Sequence, residues 1–338
     1  MGIKAFITGV SGTSLTSDER HFMDNEHPWG LILFARNIDT PRQVHRLIDD
    51  YREAVGRGDA PVLIDQEGGR VQRLRPPHWH DYASGRQLGD VWRHDRKAGE
   101  ELIRLHSRLI AHDLALLGIN VDCLPVLDVP VSGAHDVIGA RAYSTDPGEV
   151  ATIGRLACEG LLAGGVLPVV KHVPGHGRAG SDSHLELPSV ATAHAELSKT
   201  DFAPFRALRD MPLAMTAHVR YTALDPDHPA TVSPRIIADI IRGEIGFDGL
   251  LMSDDLSMQA LDGDLAHRAE ASIAAGCDVI LHCNGDMREM EEIAAICPVL
   301  DGRALERAGR AEAMLGGGDE IDVDAARARY RDLLEPSV

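Results

Sequence analysis

The sequence predicts an α/β fold, a single-domain (β/α)8 barrel, and three observations point to it. A chain of 338 residues is too long for one ordinary sandwich and suits one α/β barrel or two smaller domains. Short, β-rich apolar runs alternate with longer amphipathic stretches along it. Polar and titratable residues gather just after the runs, where a barrel places its functional side chains.

In chain order the runs are KAFITGV from Lys4, GLILFAR from Gly30, PVLIDQE from Pro61 and INVDCLP from Ile119. VLPVVKH from Val166, LAMTAHV from Leu213, GLLMSDD from Gly249 and CDVILHC from Cys277 complete the set. Most are continuously apolar, which marks strands buried on both faces of a parallel sheet. Between them, TPRQVHRLIDDYREAV opens with Thr40 as a cap and Pro41 in the first turn. SPRIIADIIRGEIG repeats that device with Ser233 and Pro234, and DPGEVATIGRLACEGLLAGG runs from Asp146 to Gly164-Gly165. A doubly wound sheet would need a phosphate-binding GxGxxG after the first strand, and GVSGTS matches it poorly. No linker divides the chain, so residues 1–338 read as one catalytic barrel domain, with helices from about residue 286 packing on it.

The strand ends carry Arg36 and Asn37, then Asp65, Gln66 and Glu67, then Asp128, Lys171 with His172, and His218. Ser253, Asp254 and Asp255 follow, and last His282 and Asn284. The stretch KHVPGHGRAGSDSHLELP, residues 171–188, admits three readings. His172, His176 and His184 with Asp182 form a possible zinc set, but their spacing matches no helical metal motif and a glycine-rich loop holds ligands poorly. Alternatively, the histidines only cap strands and bond carbonyls. In the catalytic reading Asp182 and His184, two residues apart, leave an extended segment on the same side, and the carboxylate fixes the tautomer of an acid/base imidazole. Glycines 175, 177 and 180 would let the segment swing over a bound substrate.

In LLMSDDLSM, adjacent Asp254 and Asp255 end a buried strand and so face opposite ways. One points into the mouth, and the other, Asp255, caps a helix beginning near Leu256. A mouth carboxylate opposite an acid/base suits retaining glycoside hydrolysis. In IDQEGGRVQRL, Asp65 is an acceptor for sugar hydroxyls, Gly68-Gly69 allow close backbone approach, and Arg70 and Arg73 follow. Arg141 stands in the loop after the fourth strand.

Together KHVPGHG with SDSH, LLMSDDLSM, LIDQEGGRVQRL, LILFARN and VIGARAY resemble glycoside hydrolase family 3, most closely its single-domain bacterial β-N-acetylhexosaminidases. The resemblance is clearest over residues 30–284. It implies Asp254 as nucleophile and Asp182–His184 as the acid/base dyad. Asp65, Arg73, Arg141, Lys171 and His172 are implied as substrate-binding residues. It also implies cleavage of terminal N-acetylglucosamine from muropeptides such as GlcNAc-1,6-anhydro-MurNAc in cell-wall recycling, without a cofactor. Two positions depart from the family pattern: Val173 replaces an aromatic residue and Ala140 an acid. Larger members add a second domain that supplies a glutamate, and this chain has no room for one.

Composition narrows the partners. A formal charge of −18 disfavours nucleic acid and anionic membrane and says little about a small substrate; the resemblance implies a small sugar substrate, and a monomer or weak homodimer is expected. Five cysteines with no CxxC pair, and no secretion signal, point to the cytoplasm. The alternative functions are a zinc-dependent amidohydrolase on the same barrel and a catalytically inert sugar-binding protein.

Overall fold

The computed structural model describes residues 2–183 and 185–334. Its centre is a closed barrel of eight parallel strands, each hydrogen-bonded to its sequence neighbours, with the first pairing the last. They are β1 (Lys4–Thr8), β2 (Pro28–Leu33), β3 (Val62–Ile64), β4 (Val121–Asp122), β5 (Leu167–Val173), β6 (Leu213–Thr216), β7 (Leu250–Asp255) and β8 (Val279–His282). All eight apolar runs of the sequence supply these strands. Every residue of β2, β5, β6 and β8 is buried, as continuous apolar runs require.

Alternation along each strand makes two cores. Ile7, Ile32, Leu63, Val169, Leu213 and Met252 fill the barrel interior. Their neighbours Phe6, Leu31, Val62, Val170 and Leu251 face outward against the helices. Thr40 caps the helix Pro41–Ala54 by accepting from the Gln43 N–H, and Asp146 caps Pro147–Ala163 by accepting from Glu149. The stretch after Pro234 winds as a π-helix over Ile236–Ile245 and ends at Gly246 in the left-handed region.

Helices Met287–Ile296, Gly302–Glu312 and Val323–Leu334 close the chain. Arg307 Nη1 reaches Asp278 at 2.9 Å just before β8, Arg57 pairs Glu312 at 2.8 Å, and the Ala83 N–H donates to Tyr330 at 2.9 Å. Among the described residues no helix is long and apolar enough to cross a membrane. All five cysteines are buried and free.

One element departs from expectation. No helix begins at Leu256; residues 256–261 form turns, and the next helix is Leu265–Ala275, capped by Asp264. Asp255 is the cause. Its Oδ1 accepts from the N–H groups of Ser257 (3.1 Å) and Cys283 (3.2 Å), and its Oδ2 from the Ser257 hydroxyl (2.6 Å). The segment is thereby tied to the end of β8 and turned off a helical path.

Candidate active site

The strand ends open on a cavity of about 450 Å³ at the C-terminal mouth of the barrel, within the ~300–1,000 Å³ usual for small-molecule sites. Asp65, Arg73, Arg141, Lys171, His172, Asp182 and Asp254 all line it. Of the residues singled out from the sequence, only His184 lies outside the described residues.

Two strand irregularities aim these side chains. The β5–β6 register shifts between Lys171 and Val173, and the β7–β8 register shifts between Met252 and Asp255. A bulge turns adjacent residues toward one face. Lys171 and His172 therefore both line the cavity, and so do Asp254 and Asp255, although a regular strand would send each pair to opposite faces.

The floor is an ionic cage. Lys171 Nζ lies 2.9 Å from Asp65 Oδ1 and 2.7 Å from Glu67 Oε1. Arg73 Nη2 meets Asp65 Oδ2 at 2.9 Å. Arg141 grips Glu67 with two bonds, Nε–Oε2 at 2.9 Å and Nη2–Oε1 at 2.8 Å. Burial alone would raise the Asp65 and Glu67 carboxyls, but Lys171 with Arg73 holds the first below its ordinary range, and Arg141 with Lys171 the second. Burial likewise disfavours the Lys171 ammonium, and Asp65 and Glu67 reverse that, so it stays charged. Three cations against two anions leave the cage with a surplus positive charge under the mouth.

Glu67 stands among the strand-end residues of the sequence without a role of its own. It is buried, sits in the hairpin Gln66–Gly68 with Val71–Gln72, and joins two of the cations. The glycine pair beside it is required by packing: a Cβ on Gly68 would fall 2.2 Å from Ala83 O, and one on Gly69 2.7 Å from Ser84 Cβ.

Asp128, also unassigned from sequence, organises the histidines. Its Oδ2 binds His172 Nδ1 at 2.7 Å, and its Oδ1 accepts from the backbone N–H of His176 at 2.6 Å. Burial pushes the Asp128 carboxyl up, but His172 and then His176 outweigh it and hold it at about 2. His176 is buried, and burial lowers it to about 4, so its ring is neutral at pH 7. Its Nε2 lies 3.1 Å from the Ser183 hydroxyl, anchoring the residue next to Asp182.

The loop's glycines have packing reasons of their own. A Cβ on Gly177 would fall 2.1 Å from Val129 O, and Gly175 has φ +138° against Asp201; only Gly180 has open space. Arg178 fastens the loop with Nε 2.7 Å from Asp201 Oδ2. Arg36 and Asn37 also serve structure, donating to carbonyls after β1 and β8, with Asn37 Nδ2 2.8 Å from Gly12 O. As for a metal, His172 Nδ1 is committed to Asp128 and His176 Nε2 to Ser183. Among the described residues no three His, Cys, Asp or Glu side chains gather as a donor set.

Asp254 faces this cage. Its Oδ1 accepts from the Asp255 N–H at 2.8 Å, while Oδ2 has no hydrogen-bond partner among the described residues. Burial pushes its carboxyl up; His172, the Asp255 N–H and Lys171 are among the groups that hold it below the ordinary range. The site thus offers an ionised carboxylate with one uncommitted oxygen above a charged, hydrogen-bonding floor.

A parallel barrel with such a mouth belongs to the class of enzymes that bind small molecules and do chemistry at strand ends. Comparison with known proteins makes the class definite. Residues 5–308 match the model of the glycosyl hydrolase family 3 N-terminal domain. A β-hexosaminidase of Bordetella avium is 39% identical over 281 residues, covering 81% of this chain and 79% of that protein. The structure of NagZ from Neisseria gonorrhoeae with N-trifluoroacetyl-D-glucosamine superposes with a TM-score of 0.89 at 31% identity, over 99% of both chains. A family 3 β-N-acetylglucosaminidase from Paenibacillus superposes with a TM-score of 0.87 at 29% identity, over 97% of this chain and 66% of that one. The chain belongs to glycosyl hydrolase family 3 and is a glycoside hydrolase of the β-hexosaminidase type.

Proposed function

We propose that this chain is a retaining exo-β-N-acetylglucosaminidase that removes terminal GlcNAc from cell-wall muropeptides such as GlcNAc-1,6-anhydro-MurNAc in the cytoplasm. The observation that carries the reading is Asp254: ionised, with one oxygen uncommitted, lining one cavity with the Lys171–Asp65–Arg73–Glu67–Arg141 cage. The gonococcal relative, bound to an N-acylated glucosamine, supports the choice of sugar.

In the first step Asp254 Oδ2 attacks the anomeric carbon while His184 gives a proton to the departing glycosidic oxygen. The C1–O bond breaks and a glycosyl ester forms on Asp254. Asp182 holds the His184 ring in the correct tautomer and stabilises it when charged. In the second step the same imidazole takes a proton from water, whose oxygen attacks C1 and releases Asp254, so configuration is retained. Asp65, Arg73, Arg141, Lys171 and His172 bind the hydroxyls and acetamido group of the terminal sugar.

The test is an assay with p-nitrophenyl N-acetyl-β-D-glucosaminide and with the glucoside, each with and without chelator. Turnover of the first only, indifferent to chelator, with the β-anomer as first product, is expected. Chelator-sensitive amide hydrolysis in its place would identify the zinc amidohydrolase.

A further inference from the structure

Beneath Asp254 lies a polar circuit that the chemistry above does not use. His218, at the end of β6, is fully buried. Its Nε2 lies 3.0 Å from the Asp255 carbonyl oxygen, and its Nδ1 2.7 Å from Thr231 Oγ1. Thr231 Oγ1 is 2.8 Å from Thr216 Oγ1, which in turn accepts from the Asp254 N–H at 3.3 Å.

Proton counting fixes the direction of every link. A carbonyl oxygen only accepts, so Nε2 carries a hydrogen. Burial favours the neutral ring, so Nδ1 is bare and accepts. The single Thr231 proton has three acceptors in reach, His218 Nδ1 at 2.7 Å, Thr216 Oγ1 at 2.8 Å and Ala217 O at 3.2 Å; a bare Nδ1 that close to a hydroxyl oxygen requires its proton, so Nδ1 takes it. Thr216 must then donate to Thr231. The chain runs Asp254 N–H to Thr216, to Thr231, to His218, to Asp255 O, and it closes where the Asp255 N–H donates to Asp254 Oδ1 at 2.8 Å. The circuit thus ties the Asp254 N–H on one side of the carboxylate to the Asp255 carbonyl on the other.

We propose that His218, through Thr231 and Thr216, is a positioning residue that fixes the Asp254 carboxylate for attack. The proposal rests on the assignment of Asp254 as nucleophile. Orientation is where such a contact acts, because a displacement of ~1 Å costs about a hundredfold in rate. The ring touches the nucleophile's backbone and not the sugar-binding cage, so its loss falls on kcat and spares KM.

The experiment compares wild type, His218→Leu and His218→Gln on aryl N-acetylglucosaminides with good and poor leaving groups. Wild-type turnover must be present first; its absence refutes the proposed function and not the role of His218. Given it, His218→Leu is expected to lose roughly ten- to a hundredfold in kcat with KM within about threefold. The loss should be equal for good and poor leaving groups, since nucleophile placement is blind to leaving-group acidity. His218→Gln, which keeps an N–H for Asp255 O, recovers most of it. Equal activity of wild type and His218→Leu overturns the proposal, as does a loss confined to KM. Should His218→Leu fail to fold, Thr231→Val against Thr231→Ser carries the test: Val loses kcat and Ser restores it, and identical kcat in both overturns the proposal.

Discussion

The two oxygens of Asp254 have different duties, and that asymmetry makes its proposed role testable. Oδ1 is held by the Asp255 N–H and Oδ2 is uncommitted, so truncation removes the attacking atom and little packing. Asp254→Ala should reduce turnover by at least ~10⁴-fold while the circular-dichroism spectrum is unchanged; near-normal turnover in the folded variant sinks the assignment. In kcat/KM, which reports formation of the glycosyl-enzyme and not its hydrolysis, His184→Ala should spare aryl glycosides with acidic phenols and impair sugar aglycones, because only the latter need a proton on departure. Equal losses on both would remove His184 from the acid role. Glu67 acts through others. Removing its charge leaves Arg141 and Lys171 partly unpaired in a buried cage, and breaking a buried pair costs about 3–5 kcal/mol. Glu67→Gln should therefore raise KM tenfold or more and lower the urea midpoint together; an unchanged KM would show that the cage does not bind the sugar. Asp65 and Glu67 looked alike in sequence, two residues apart at a strand end. What separates them is the fold of the Gln66–Gly68 hairpin, which turns Glu67 inward onto Arg141, a partner 74 residues away.

At the scale of elements, the barrel was legible because the strands obey a simple rule: a strand buried on both faces is a continuous apolar run. Boundaries followed less well. The fourth run, INVDCLP, yields only Val121–Asp122 as regular strand, since Pro125 lacks the N–H that a ladder needs. The helix expected at Leu256 failed because the Asp255 side chain bonds Cys283 at the end of the neighbouring strand, a contact with no local sequence signal. Its true start was marked by Gly263 at φ +83° and the cap Asp264. The loop after β5 shows the same limit. Its glycines read as freedom to move, yet Gly177 exists because the backbone passes Val129 too closely for a side chain. Gly177→Ala forces a Cβ to 2.1 Å from a carbonyl oxygen that cannot rotate away. It should cost about 1–3 kcal/mol in urea unfolding and lower kcat by shifting the segment that carries Asp182. Gly180→Ala, with open space around it, should leave kcat and stability close to wild type. If the two variants behaved alike, packing would not be what sets the loop.

For the whole molecule, buried titratable groups set how stability varies with pH. Burial lowers His106 and His176 to about 4. Between about pH 6.5 and 4 the unfolded chain therefore carries a proton on each that the native protein does not. More protons on the unfolded side means that stability rises with pH, so it is lost as pH falls through this window. Burial lowers His218 as well, in the same direction. Below about pH 4 the depressed carboxyls of Asp65, Glu67, Asp128 and Asp254 continue the decline, because unfolding lets them take up protons. Asp122 opposes this trend. It is fully buried beneath the cage, its Oδ1 accepts from the Gln66 N–H at 3.0 Å, and its Oδ2 has no partner. Burial raises it well above the ordinary range, so the native protein keeps a proton there that the unfolded chain releases above about pH 4. Asp122 therefore costs stability as pH rises, while the histidines gain it. Asp122→Asn cannot ionise in either state, so it removes only the opposing contribution. Urea unfolding of wild type at pH 4.5, 5.5 and 7 should show stability rising with pH. The Asn variant should rise more steeply, by up to ~1.4 kcal/mol per pH unit for the one proton removed. Parallel curves for the two proteins would mean that Asp122 ionises in the native state, and a flat wild-type curve would mean that the buried histidines accept protons without unfolding.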